Sequence, residues 1–145
     1  MLDTAFPKLK LKNKLLLPIV QGGMGVGISA HGLAGSVARL GAVGTISSVD
    51  LRRHHPDLMA RTDKTRDKAL INEVNLIALD REIRAAQAIA EGKGVIAVNV
   101  MRAVAEYAAY VRQSCESGAD AIVVGAGLPM DLPELTSEFP DVALI

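Results

Sequence analysis

Five short aliphatic runs, each separated from the next by a stretch of helical spacing, restrict this chain to a parallel α/β arrangement. The runs are Leu17–Gln21, Ala42–Ser47, Val95–Val100, Ala121–Val124 and Asp141–Ile145. Between them, His31–Leu40 carries Leu33, Val37 and Leu40 at helical spacing. Ala69–Glu91 carries Ile71, Val74, Ile77 or Ala78, Ile83, Ala86, Ile89 and Ala90, and Val104–Glu116 and the shorter Pro129–Phe139 complete the set. Apolar residues every three or four positions give a helix one face for a core. Strands joined through helices pair in parallel with right-handed crossovers. Gly41, Gly92 and Gly118 stand where three of these helices should stop, Ser29 is placed to cap the first, and Pro129 fits the first turn of the last.

Half of the 145 residues are hydrophobic, yet aromatics make up 3% and Trp is absent. The core must therefore be built from Ala, Val, Ile and Leu, the residues of a sheet buried on both faces. Lys plus Arg and Asp plus Glu number 16 each, so no net field draws the chain to nucleic acid. The lone Cys115 excludes an internal disulfide, and Met1–Lys14 alternates charge with Leu where a secretory leader would be apolar. No run approaches the roughly 20 apolar residues of a membrane span. A cytoplasmic protein with no membrane partner is the expectation.

Residues 1–145 read as a single partial domain. Lys8–Leu17 alternates about Lys12-Asn13-Lys14, the pattern of a short hairpin that would plug the bottom of the strand-and-helix array. The polar tract Asp50–Lys68, with Arg52, Arg53, His54, His55 and Pro56, reads as an inserted solvated excursion. Two architectures satisfy the alternation: an open doubly wound sheet, or the N-terminal half of a TIM-type (β/α)8 barrel, which typically needs about 250 residues. The leading hairpin favours the barrel, with the chain ending inside its fifth strand.

Gly22–Gly27 is the strongest functional signal, because glycines at the end of a parallel strand let backbone N–H groups approach a ligand closely. It is not a dinucleotide fingerprint: Gly23 and Gly25 would require a third glycine at position 28, which is Ile28. Asn99 near the end of an aliphatic strand needs partners, and a heterocycle with adjacent donors and acceptors supplies them. Thr45, Ser47 and Gly125–Gly127 end their strands at the same rim. His31 reads as a polar first-turn residue and Cys115 as a packing residue. His54 and His55 are adjacent, so they cannot share a helical face as ligands, and no metal is expected.

Three segments together resemble the nitronate monooxygenase (2-nitropropane dioxygenase) family over essentially the whole chain: Pro18-Ile19-Val20-Gln21-Gly22-Gly23-Met24-Gly25, Ala97-Val98-Asn99-Val100-Met101 and Val123-Val124-Gly125-Ala126-Gly127-Leu128-Pro129. The resemblance implies FMN as cofactor. The Gly22, Gly23 and Met24 backbone would lie against the reactive edge of the flavin, Asn99 would hydrogen-bond it, Thr45 would stand with them, and Gly125 and Ala126 would border the substrate. It implies oxidation of an alkyl nitronate by oxygen to a carbonyl compound and nitrite. The family's catalytic histidine and its flavin-phosphate loops would fall beyond Ile145, so no catalytic residue is assigned and the chain is expected to be an incomplete, inactive portion that self-associates through exposed strand edges. The alternatives are a flavin-dependent enoyl-acyl-carrier-protein reductase using NAD(P)H, which is related and shares these motifs, and a non-catalytic truncated product.

Overall fold

The computed structural model describes residues 4–145, so the first three residues of the charged N-terminal stretch lie outside the described residues. Strands β1 (Leu9–Leu11) and β2 (Lys14–Leu16) form the expected antiparallel hairpin. The chain then runs extended through Leu17–Gln21 into a glycine-rich loop, helix α1 (His31–Arg39) and strand β3 (Val43–Ser47). A 3-10 turn (Leu51–His54), α2 (Pro56–Thr62) and the long α3 (Lys68–Ala90) follow. Then come β4 (Val95–Met101), α4 (Tyr107–Glu116), β5 (Ala121–Gly125), α5 (Leu132–Leu135) and β6 (Ala143–Leu144).

Strands β3, β4, β5 and β6 pair in parallel in chain order. Leu17–Gln21 extends this order on the β3 side: Gln21 N–H donates to Val43 O at 2.9 Å, Val43 N–H to Ile19 O at 3.0 Å, and Val20 bridges Val43 in parallel. Because side chains alternate across a strand, Ile46, Ile96, Val98, Val100 and Ile122 face one way. There they join Ala34, Ala38, Leu79, Ile83, Ala86, Val111 and Cys115 in one core, so α1, α3 and α4 cover that single face. Val43, Val95, Ala97, Ala121 and Ala143 face the other way and meet Leu16 of the hairpin, flanked by Leu9 and Leu11. The hairpin thus closes off the N-terminal ends of the strands. A doubly wound sheet reverses its strand order and carries helices on both faces; the described residues do neither.

Several local expectations are corrected. Helix α1 buries Ala34, Gly35 and Ala38, whereas Leu33 and Leu40 are exposed. The reason is distance: a Cβ on Gly44 would lie 1.9 Å from Ala34 O, so the helix rests directly on β3 and only small residues fit between. Helix α3 buries Val74, Ala78, Ile83, Ala86 and Ala90 of the expected stripe, and adds Asn75, Leu79 and Glu82 in place of Ile71, Ile77 and Ile89. Ser29 makes no cap bond to α1. The Asp50–Lys68 tract is not a solvated excursion, since Leu51 and Leu58 sit in the core and Arg52 is buried. The last helix shrinks from Pro129–Phe139 to four residues. Among the described residues no helix is long and apolar enough to cross a membrane.

Candidate functional site

The glycine loop leaves its strand at Gln21 and turns across the C-terminal edge of the sheet. Gln21 makes this departure possible. Its amide accepts from Thr45 N–H at 3.0 Å and donates to Thr45 O at 3.2 Å, doing with a side chain what the next ladder residue would do with backbone. The Gln21 amide also donates to Gly22 O. Relieved of ladder duty, Gly22 and Gly23 use neither N–H in a hydrogen bond among the described residues.

Gly23 then lies directly on Asn99, where an added Cβ would come within 2.7 Å of Asn99 Cβ and 3.6 Å of Thr45 Cγ2. The next turn is fastened by Ser29, diverted from its expected capping role. Met24 N–H donates to Ser29 Oγ at 2.5 Å, and both Ser29 Oγ and Ser29 N–H donate to Met24 O, at 3.1 and 3.0 Å. Met24 backbone groups are therefore committed internally, while its side chain stands 42% exposed on the rim. The structure brings Gly22, Gly23, Thr45 and Asn99 together. Thr45 is buried beneath the loop and its hydroxyl has no hydrogen-bond partner, whereas the half-buried Asn99 amide makes no hydrogen bond among the described residues.

The rim is stepped. Thr45 pairs with Ala97, Ser47 and Val123 flank Asn99, and Gly125 pairs with Met101. The one level expected for Thr45, Ser47 and Gly125–Gly127 is thus spread over successive register positions. A Cβ on Gly22 or on Gly125 would meet nothing within 4 Å, so both border open space. Ala126 holds φ at 57°, and beyond it Leu128 and Met130 are exposed.

A second cluster has no counterpart among the sequence expectations. Glu82, 1% exposed on α3, accepts from His31 N–H and contacts His31 Nδ1, both at 2.7 Å. Its other oxygen lies 3.0 Å from His55 Nε2, without the alignment of a hydrogen bond. A carboxylate from a distant helix therefore caps α1 and meets the residue that precedes α2. His54, still solvent-exposed, packs its ring on Gly27: a Cβ there would lie 1.8 Å from its Nε2, and Gly27 already needs φ of +74°. His55, largely buried against Glu82, departs from the solvated-loop reading, whereas His54 keeps its exposure while resting on Gly27. The available signal was Glu82 itself, a charge three residues after Leu79 on an apolar stripe. Among the described residues no group of His, Cys, Asp and Glu is arranged to hold a metal.

The former excursion is anchored by charge. Burial alone would raise the Asp50 pKa, but hydrogen bonds from Arg53 and Arg52 outweigh it and hold the carboxyl below its ordinary range. Arg52 also donates to Thr62 Oγ1 at 2.7 Å. Cys115 is the packing residue it was expected to be, since burial pushes its thiol up to about 11.

No family model and no curated protein matches the chain. Any function therefore rests on these residues alone. For a flat heterocycle such as a flavin they fit: two backbone donors without partners, an amide offering donor and acceptor, and exposed apolar Met24 and Val26 on the same loop.

Proposed function

We propose that this chain is the flavin-binding front portion of a (β/α)8-type oxidoreductase that oxidises alkyl nitronates. Its support in fold is the chain-order parallel sheet with helices on one face and a hairpin beneath the other. The observation that carries the cofactor is the pair of N–H groups of Gly22 and Gly23 left without partners among the described residues, Gly23 lying directly on Asn99 and Gly22 bordering open space. Active sites of such barrels lie at this C-terminal edge of the strands.

Bound FMN supplies electron transfer at its ring system, chemistry that side chains lack. The protein's own residues bind and orient. Gly22 and Gly23 donate to the ring edge, Asn99 presents its amide, and Gln21 and Thr45 form the floor that fixes both. Gly125 and Ala126 border the face left for substrate, with open space beside Gly125. No side chain in this chain is assigned a proton transfer.

Reconstitution tests the proposal. Titrating the protein with FMN is expected to quench flavin fluorescence saturably, and Asn99→Leu to weaken binding about ten-fold, the loss of roughly one charge-free hydrogen-bonding group. Absence of any saturable quenching would overturn it. Nitrite release from propyl 2-nitronate supports the nitronate reading, and NAD(P)H oxidation with an enoyl thioester in its place would assign a reductase.

A further inference from the structure

Beyond the rim, between the loop after β3 and the start of α4, lies a cleft of about 320 Å3 that the proposed flavin chemistry does not use. Val49, Ile71, Met101 and Val104 give it an apolar wall. Its polar lining is unevenly balanced. Within the lining, Asp50 is neutralised by Arg52, at 2.8 Å, which Thr62 also holds; Arg53 pairs with the same carboxylate from outside the lining, where its surplus charge is exposed to solvent. Glu106 is different: its one partner among the described residues is the neutral Asn72 amide, at 2.6 Å, and no cation pairs with it. Tyr110 lines the same cleft, 8% exposed, beside Asn75. Burial, with Glu106 adding to it, pushes this phenol up to about 12, so it stays a neutral hydrogen-bonding group at any physiological pH.

A half-buried carboxylate without a counter-charge attracts a cation and repels an anion across a low-dielectric wall. The start of α4 favours a carboxylate at Glu106 as well, but it requires neither the apolar wall nor the buried phenol. A volume of this size, at the small end of the roughly 300–1,000 Å3 usual for ligand sites, admits a short chain with one polar head.

We propose that this cleft binds a small organic monocation of the alkylammonium class, with its ammonium group at Glu106 and its chain along Met101, Val104 and Ile71. The site is distinct from the place of an anionic nitronate and does not depend on flavin binding.

The test is a titration of the 145-residue chain, isotope-labelled at the methionine methyls, with n-butylammonium, butan-1-ol and butyrate at matched ionic strength. The Met101 methyl is expected to shift saturably, with butylammonium binding roughly five-fold more tightly than butanol, the size of one partly screened ion pair, and butyrate weakest; the exposed Met130, which does not line the cleft, serves as the control. Glu106→Gln should abolish the preference for ammonium over alcohol and leave butanol binding unchanged. Should that variant fail to fold, the wild-type preference should fall as salt rises from about 0.02 M to about 0.3 M while butanol binding holds. Butyrate binding as well as butylammonium, a Met101 signal unmoved by all three probes, or a preference indifferent to both Glu106→Gln and salt would overturn the proposal.

Discussion

Thr45 carries a hydroxyl into a buried position where none of the described residues bonds it. Leaving such a group unpaired costs about 1–3 kcal/mol, so Thr45→Val, which keeps the shape and deletes the orphan, is expected to raise stability by about 1 kcal/mol in urea unfolding. A loss of stability would show that the hydroxyl has a partner in solution. Gln21 is the opposite case, since both ends of its amide are used on Thr45. Gln21→Leu strands a buried N–H and a carbonyl and should cost about 2 kcal/mol, with the Thr45 amide exchanging faster against deuterium while Ile46 stays protected. The sequence located Gly22, Gly23 and Asn99 because glycine and amide are conspicuous at strand ends. It did not show Gln21, because a side chain replacing a ladder residue has no periodic signature. Nor did it show Ser29 turning back to Met24, because a serine before a helix looks the same whether it caps or not.

At the scale of elements, Glu82 joins three of them. It supplies α1 with the cap that Ser29 does not, and it meets His55 at the entrance to α2. Glu82→Ala removes a helix cap and a buried acceptor together, and is expected to cost about 2–4 kcal/mol. Glu82→Gln, which can still accept from His31 N–H, should cost roughly half as much. Equal losses from the two, measured by thermal unfolding, would mean that charge and not the cap dominates. Helix positions were legible because their period is local. Their buried faces were less so: α1 turns Ala34, Gly35 and Ala38 inward and leaves Leu33 and Leu40 exposed, since the gap to β3 admits no larger residue.

For the whole molecule, the outer edges of the sheet, at Leu17–Gln21 and at β6, carry no further strand among the described residues. Leu15, Leu33, Leu40, Leu144 and Ile145 are exposed. Open edges next to apolar surface pair with other chains. Light scattering is expected to show the 145-residue chain self-associating as concentration rises; a dispersed monomer throughout would mean that these surfaces are covered in solution.

What the sequence determined by itself was the alternation of the main strands and helices and their parallel pairing, because apolar period and glycine stops are properties of neighbouring residues; it did not show α2 or the 3-10 turn before it, whose residues read as a solvated tract. What only the tertiary structure decided was partnership: Glu82 with His31 across 51 positions, Gln21 with Thr45 across 24, and Glu106 with no cation at all among the described residues. Such contacts depend on how closely helices and strands approach. That distance is set by side-chain volume at the packed faces, and no local pattern records it.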